Sequence, residues 1–260
     1  IACQGWGLTT RYAGRLGDDE AAGLHRRVFA DAGVDARITT VPGAASPQSL
    51  VLVDAGGERT IIQRRDSRLL LQPSDLDRSW IVNARAVHVD GFETAAATLA
   101  AGWARQAGIP TIADLDELYP GVEDLIANID YLIVSRDFPL RLTGEHNLEQ
   151  ALRAAMRRFG CKVAAATLGR EGVLAWDGSG FHLRPAYRVP VVDTTGAGDI
   201  FHAGFIYGLL QGWTLTRRLD FACAAAALNC TAHGARGRLG TVEDVEGLIA
   251  STPRYGPSRT

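Results

Sequence analysis

Three observations predict an α/β fold with a mostly parallel central sheet. Helical stretches and short apolar strands alternate from residue 73 onward, and β-rich runs fill residues 34–72. A glycine-rich turn opens straight into an apolar helix within residues 193–205. At 260 residues, 47% of them apolar and 22% charged, the chain is long enough for one large α/β domain and a small appendage. The expected boundaries are 1–33 with 73–260 for the α/β part and 34–72 for a small sheet.

Each element has its own signal. Residues 10–14 read as a strand, and residues 36–41, 50–53 and 60–63 as the short strands of the appendage, with Gly56-Gly57 as a hairpin turn. Helices are expected at 75–83, 94–107, 122–127 and 148–159, and strands at 86–89, 111–113, 131–134 and 163–167. That alternation argues for a parallel sheet covered by helices on both faces, a three-layer arrangement. A meander follows, with strands at 173–176, 181–183 and 188–192. The last helices, 200–210 and 219–233, are apolar on most faces and hence buried, the second ending at Gly234. Alanines 222 and 224–227 would let its backbone pack closely on a neighbour.

Composition removes several function classes. A formal net charge of -2 gives no electrostatic reason to expect nucleic acid or an anionic membrane as partner, and no apolar run reaches transmembrane length. Cys3, Cys161, Cys223 and Cys230 form no C-x-x-C pair, which argues against a disulfide framework or zinc site and for a cytoplasmic, reducing location. Lys162 is the only lysine, so no P-loop can exist, and a Schiff-base mechanism would fall on a lysine at the start of a buried strand. The chain opens at Ile1 without Met or leader while residues 10–14 already read as a strand, which predicts residues upstream.

The chemistry concentrates at Asp193-Thr194-Thr195-Gly196-Ala197-Gly198-Asp199. Unpaired N–H groups of a helix's first turn form an anion site, and Gly196 and Gly198 let the backbone approach a phosphate. Asp199 would repel that phosphate as a binder but suits the role of base for an attacking hydroxyl. An ordinary strand-to-helix turn with an Asp near its N-cap carries the same pattern. The strands end in His88, Asp90-Gly91, Asp114, Ser135 and Thr167-Leu168-Gly169, where open parallel sheets bind ligands and where plain loop polarity also belongs.

The segment from Asp193 to Phe205 resembles the C-terminal signature D-T-x-G-A-G-D-x-F-x-A-G-F of the PfkB, or ribokinase, family of carbohydrate kinases. Thr167-Leu168-Gly169-Arg170-Glu171-Gly172 resembles its T-x-G-x-x-G nucleotide loop, and Gly14-Arg15-Leu16-Gly17-Asp18-Asp19 its early G-x-x-G-D-D element. The resemblance covers nearly the whole chain. It implies a ribokinase-like fold and ATP-dependent phosphorylation of a sugar hydroxyl, with Asp199 as base in contact with the sugar and Gly196, Ala197 and Gly198 as the N–H anion hole. It further implies Thr167, Gly169, Gly172 and Thr195 beside the ATP ribose and phosphates, Ala226 and Asn229 beside adenine, Mg²⁺ on the phosphates, and residues 34–72 as a lid able to pair in a homodimer. Asp193 and Thr195 would supply part of a K⁺ site, where Arg238 stands in place of a small residue.

The chain departs from the family where N-x-x-E is common, reading Ser135-Arg136-Asp137-Phe138, as ketohexokinase-like members resemble it in doing. A direct Mg²⁺ role for that segment therefore fails. A ketose or keto-sugar acid is the favoured substrate, because Arg64, Arg65 and Arg68 follow the lid strands and Arg65 would meet an acidic group. A nucleoside kinase with Trp80, Trp103 or Phe92 as base wall, and a non-catalytic sugar- or nucleotide-binding regulator, are the alternatives.

Overall fold

The computed structural model describes residues 1–53 and 59–256, and these fall into two units, Thr9–Leu76 and Ala2–Leu8 together with the chain from Asp77 on. A short helix α1 (Ala2–Gly5) precedes the smaller unit. That unit contains strand β1 (Arg11–Leu16), helix α2 (Glu20–Asp31) and strands β2 (Asp35–Thr40), β3 (Gln48–Val53) and β4 (Arg59–Arg64). β1 and β2 pair in parallel and β3 and β4 antiparallel, so the unit takes in β1 and α2 as well as residues 34–72. The expected Gly56-Gly57 turn lies outside the described residues.

The G-x-x-G-D-D element is architectural within this unit. Asp19 caps α2 through the Ala22 amide at 3.0 Å and accepts the Ser46 amide and hydroxyl at 2.8 and 2.6 Å. Those bonds, the Ser46 hydroxyl first, hold its pKa down at about 2. A Cβ on Gly17 would stand 2.0 Å from Ala44 O, so only glycine lets this turn close.

The larger unit holds helix α3 (Arg78–Val82), β5 (Val87–Asp90), α4 (Thr94–Gln106), β6 (Thr111–Leu115), α5 (Val122–Ile126), β7 (Tyr131–Ser135), α6 (Phe138–Thr143), α7 (Leu148–Phe159) and β8 (Val163–Thr167). It continues with β9 (Val173–Trp176), β10 (Phe181–Arg184), α8 (Ala197–Leu210), α9 (Leu215–Asn229) and α10 (Val242–Ser251). Its sheet has the order β10-β9-β8-β7-β6-β5, parallel from β5 to β8 and antiparallel over β8, β9 and β10.

The period of two along each strand sends alternate residues into two cores. Ile112, Ile133 and Ala165 pack with α8 and α9, whereas Ala113, Leu132, Val134 and Ala166 pack with α4, α5 and α7. This is the predicted helix-sheet-helix sandwich. Small residues draw α8 and α9 together, since a Cβ on Gly204 would lie 2.8 Å from the Ala222 Cα. Trp6 joins that core with its ring edge against Phe221 and its Nε1–H donating to Gly240 O at 2.8 Å.

Two expected elements differ. Residues 188–192 form no strand, because Pro190 removes a ladder donor and Val191 and Val192 stay exposed; only Tyr187 makes an isolated bridge, to Arg254. Helix α9 ends at Asn229, five residues before Gly234, because the Cys230 carbonyl accepts the Val192 and Asp193 amides at 2.8 and 3.3 Å. The end of the helix thus anchors the loop that precedes the site. Among the described residues no helix is long and apolar enough to cross a membrane.

Candidate active site

The loop before α8 is built by its own carboxylate. Asp193 accepts the Thr195 amide at 2.8 Å with one oxygen and the Gly234 amide at 2.8 Å with the other. Those two bonds, Thr195 first, hold its pKa down at about 2. Gly196 then adopts φ +75° as the helix N-cap. The Ala197 amide turns back onto Thr194 O at 3.2 Å, which takes it out of the expected anion hole; the amides of Gly198 and Asp199 keep no partner inside the helix. Nothing lies within 4 Å of a Cβ built on Gly198, so a ligand can approach the helix end.

Asp199 stands at that end, exposed to solvent. The surrounding protein mass pushes its pKa up, the neighbouring His202 pulls it down, and Asp90 adds a push upward. Asp90 and Asp114 are directly paired positions of β5 and β6, as Ser135 and Thr167 are of β7 and β8, so the polar strand ends share one edge of the sheet. Burial raises the Asp114 pKa, with Asp199 adding to the rise and His202 opposing it. The carboxylates therefore sense one another.

The expected nucleotide loop is tightly closed. Leu168 N–H donates to Gly172 O at 2.8 Å and Gly172 N–H to Gly169 O at 2.9 Å, with φ of +59° at Gly169 and +91° at Gly172. A Cβ on Gly172 would lie 1.9 Å from Arg184 O. Thr167 Oγ1 donates to Val134 O at 3.3 Å. Arg136 reaches this loop from the segment that replaces N-x-x-E, pairing with Glu171 at 2.6 Å and donating to Leu168 O at 3.3 Å. Phe138, where the family often has Glu, is fully buried and offers a metal nothing.

On α9, Ala226 is half-buried and Asn229 fully buried. Asn229 Nδ2 donates to Thr195 O at 3.2 Å, while its Oδ1 has no partner. An orphaned acceptor beside Thr195 and Asp193 fits a cation. Arg238 is exposed, with no side-chain hydrogen bond or ion pair among the described residues. In the smaller unit Arg64, Arg65 and Arg68 are all exposed at or after the end of β4; Arg68 pairs with Asp66 at 2.6 Å and Arg64 donates to Gln48 at 3.3 Å.

Sequence reasoning did not single out His202 or the contact between Arg136 and Glu171. The first was legible, since His202 follows Asp199 by three residues, one helical turn along the same face. The second joins separate strands and had no local signal.

The profile of the pfkB family of carbohydrate kinases matches residues 1–241. The chain is 25% identical to 5-dehydro-2-deoxygluconokinase of Geobacillus kaustophilus, over 94% of this chain and 80% of that one. It is 30% identical to 2-dehydro-3-deoxygluconokinase of Thermoproteus tenax, over 90% and 78%. The structure of Arabidopsis thaliana ribokinase with ribose and ATP superposes with a TM-score of 0.79 at 25% identity, covering 95% of this chain and 84% of that one.

Proposed function

The chain belongs to the pfkB family of carbohydrate kinases and is an ATP-dependent phosphotransferase acting on a sugar hydroxyl; from that premise we propose that Asp199 is its base and a keto-sugar acid its substrate. The observation that carries the first part is the Asp199 carboxylate, open to solvent, raised in pKa, and set at a helix end with unpaired amides. In this reading the sugar hydroxyl gives its proton to Asp199 while the Gly198 and Asp199 amides neutralise charge gathering on the migrating phosphoryl group. Gly196 and Ala197 hold that helix end in place. Transfer of this kind is mostly positioning and charge stabilisation, so aligned N–H donors do the work a lysine clamp does elsewhere.

Thr167, Gly169, Gly172 and Thr195 would line the nucleotide phosphates and ribose, and Ala226 and Asn229 the base. Mg²⁺ supplies charge neutralisation to the phosphate oxygens; among the described residues no three His, Cys, Asp or Glu side chains converge to hold it, so it would ride on the nucleotide. K⁺ would take Asn229 Oδ1 with carbonyl or carboxylate oxygens of Thr195 and Asp193. The reduced thiols of Cys3, Cys161 and Cys223 support a cytoplasmic protein. Exposed Leu50, Leu52, Ile61 and Ile62 on β3 and β4 support the lid role of residues 34–72 and a homodimer formed through them.

The substrate class rests on two relatives named for keto-sugar acids and on Arg65. ADP release from ATP and Mg²⁺ against ketoses, aldoses, keto-sugar acids and nucleosides, with and without K⁺, tests it. A keto-sugar acid is expected to turn over best, with Arg65→Ala raising its KM several-fold and leaving a neutral ketose unaffected. Preference for a nucleoside, or ATP binding without turnover on any acceptor, would overturn the reading.

A further inference from the structure

His202 lies one turn along α8 from Asp199 and is 2% exposed. Its Nδ1 is 2.9 Å from Gly198 O and its Nε2 3.2 Å from Ile133 O. A backbone carbonyl never donates, so a ring that satisfies both contacts carries hydrogen on both nitrogens. A neutral ring would leave one buried lone pair facing a carbonyl oxygen, the costliest way to place it. The counter-charge is at hand, with Asp114 Oδ2 3.3 Å from Nδ1.

We propose that His202 is a buried imidazolium which keeps the Asp199 carboxylate ionised for proton abstraction. Every element packed round the ring contributes to the balance. Helix α8 brings Asp199 itself, the end of β6 Asp114 and Asp116, β5 His88 and at its end Asp90, and β7 the Ile133 carbonyl. His88, its ring centroid 5.4 Å from that of His202, is pushed toward neutrality by the packed protein first and by His202 second. The carboxylates at this edge would otherwise repel one another toward protonation, and one fixed cation among them offsets that repulsion. His202 meets the helix end only through the Gly198 carbonyl, which faces away from any ligand of the Gly198 N–H, so it is a positioning residue that acts through Asp199.

The proposal rests on Asp199 being the base, and its test separates the two claims. In protein labelled with ¹⁵N-histidine at pH 7, one ring with contacts to the Phe201 ring is expected to show two N–H signals. That measurement needs no variant and no turnover. In His202→Gln the acid limb of the kcat/KM profile is expected to move up by about one pH unit, since an ionised neighbour of opposite sign is lost. KM for ATP should stay as it was. A single ring N–H on His202, or an acid limb that stays in place, overturns the proposal. Full turnover in Asp199→Asn would instead remove the base reading while the N–H count still decided the state of His202.

Discussion

Gly196 lies backbone to backbone against Ala235: a Cβ on residue 196 would stand 2.3 Å from the Ala235 carbonyl oxygen and 2.8 Å from its Cα. The contact fixes where α8 begins, and with it the direction of the Gly198 and Asp199 amides. Gly196→Ala meets both that clash and a left-handed φ of +75°. It is expected to cost about 1–3 kcal/mol of stability and at least a hundredfold in turnover. Thermal unfolding and steady-state rates on the same preparation check both effects; a variant with native stability and turnover would show that the contact does not govern the site.

Asp193 serves the same loop through charge. Its folded pKa, about 2, lies below the unfolded carboxylate value near 4. A depressed carboxylate contributes stability that is complete above the unfolded value and is lost as pH falls through the folded one. The difference in denaturant midpoint between wild type and Asp193→Asn is therefore expected to be largest near neutrality and to shrink as pH drops from about 4 toward about 2. A difference constant over that window would contradict the assignment.

Arg136 ties the segment after β7 to the proposed nucleotide loop through Glu171 and Leu168 O. The ion pair is half exposed on both sides, so its loss should cost no more than about 1 kcal/mol of stability. Its expected effect is on ATP instead. Arg136→Ala should raise KM for ATP several-fold with little change in unfolding temperature, and the same shift should appear in Glu171→Gln. An unchanged KM in both would leave the contact a surface pair and nothing more.

Much of this architecture was legible because its signals are local. Helix α7 and strand β8 run where expected, the first capped by Asn147 on the Gln150 amide and closed by Gly160 at φ +72°. Helix α10 carried its own signal, a capping box between Thr241 and Asp244, and α2 had Asp19 at its N-cap; both were readable and neither was predicted. Residues 188–192 looked like a strand because β-branched residues cluster there, but Pro190 has no N–H to give a ladder and the Val192 amide goes to the Cys230 carbonyl instead. Gly234 was read as a helix stop, whereas its amide serves Asp193, forty-one residues away in sequence. Such long-range uses leave no pattern in a window of residues. In the site, Gly196, Gly198 and Asp199 announced themselves by spacing, while the charge balance round His202 arises only where β5, β6 and β7 meet α8.

The central claim is that Asp199 takes the proton from the acceptor hydroxyl. Single-turnover ADP formation, measured with the best acceptor from the panel, compares wild type with Asp199→Asn, alongside ATP affinity from equilibrium binding. The variant is expected to bind ATP as wild type does and to lose transfer by several orders of magnitude. Equal rates in the two proteins would contradict the account.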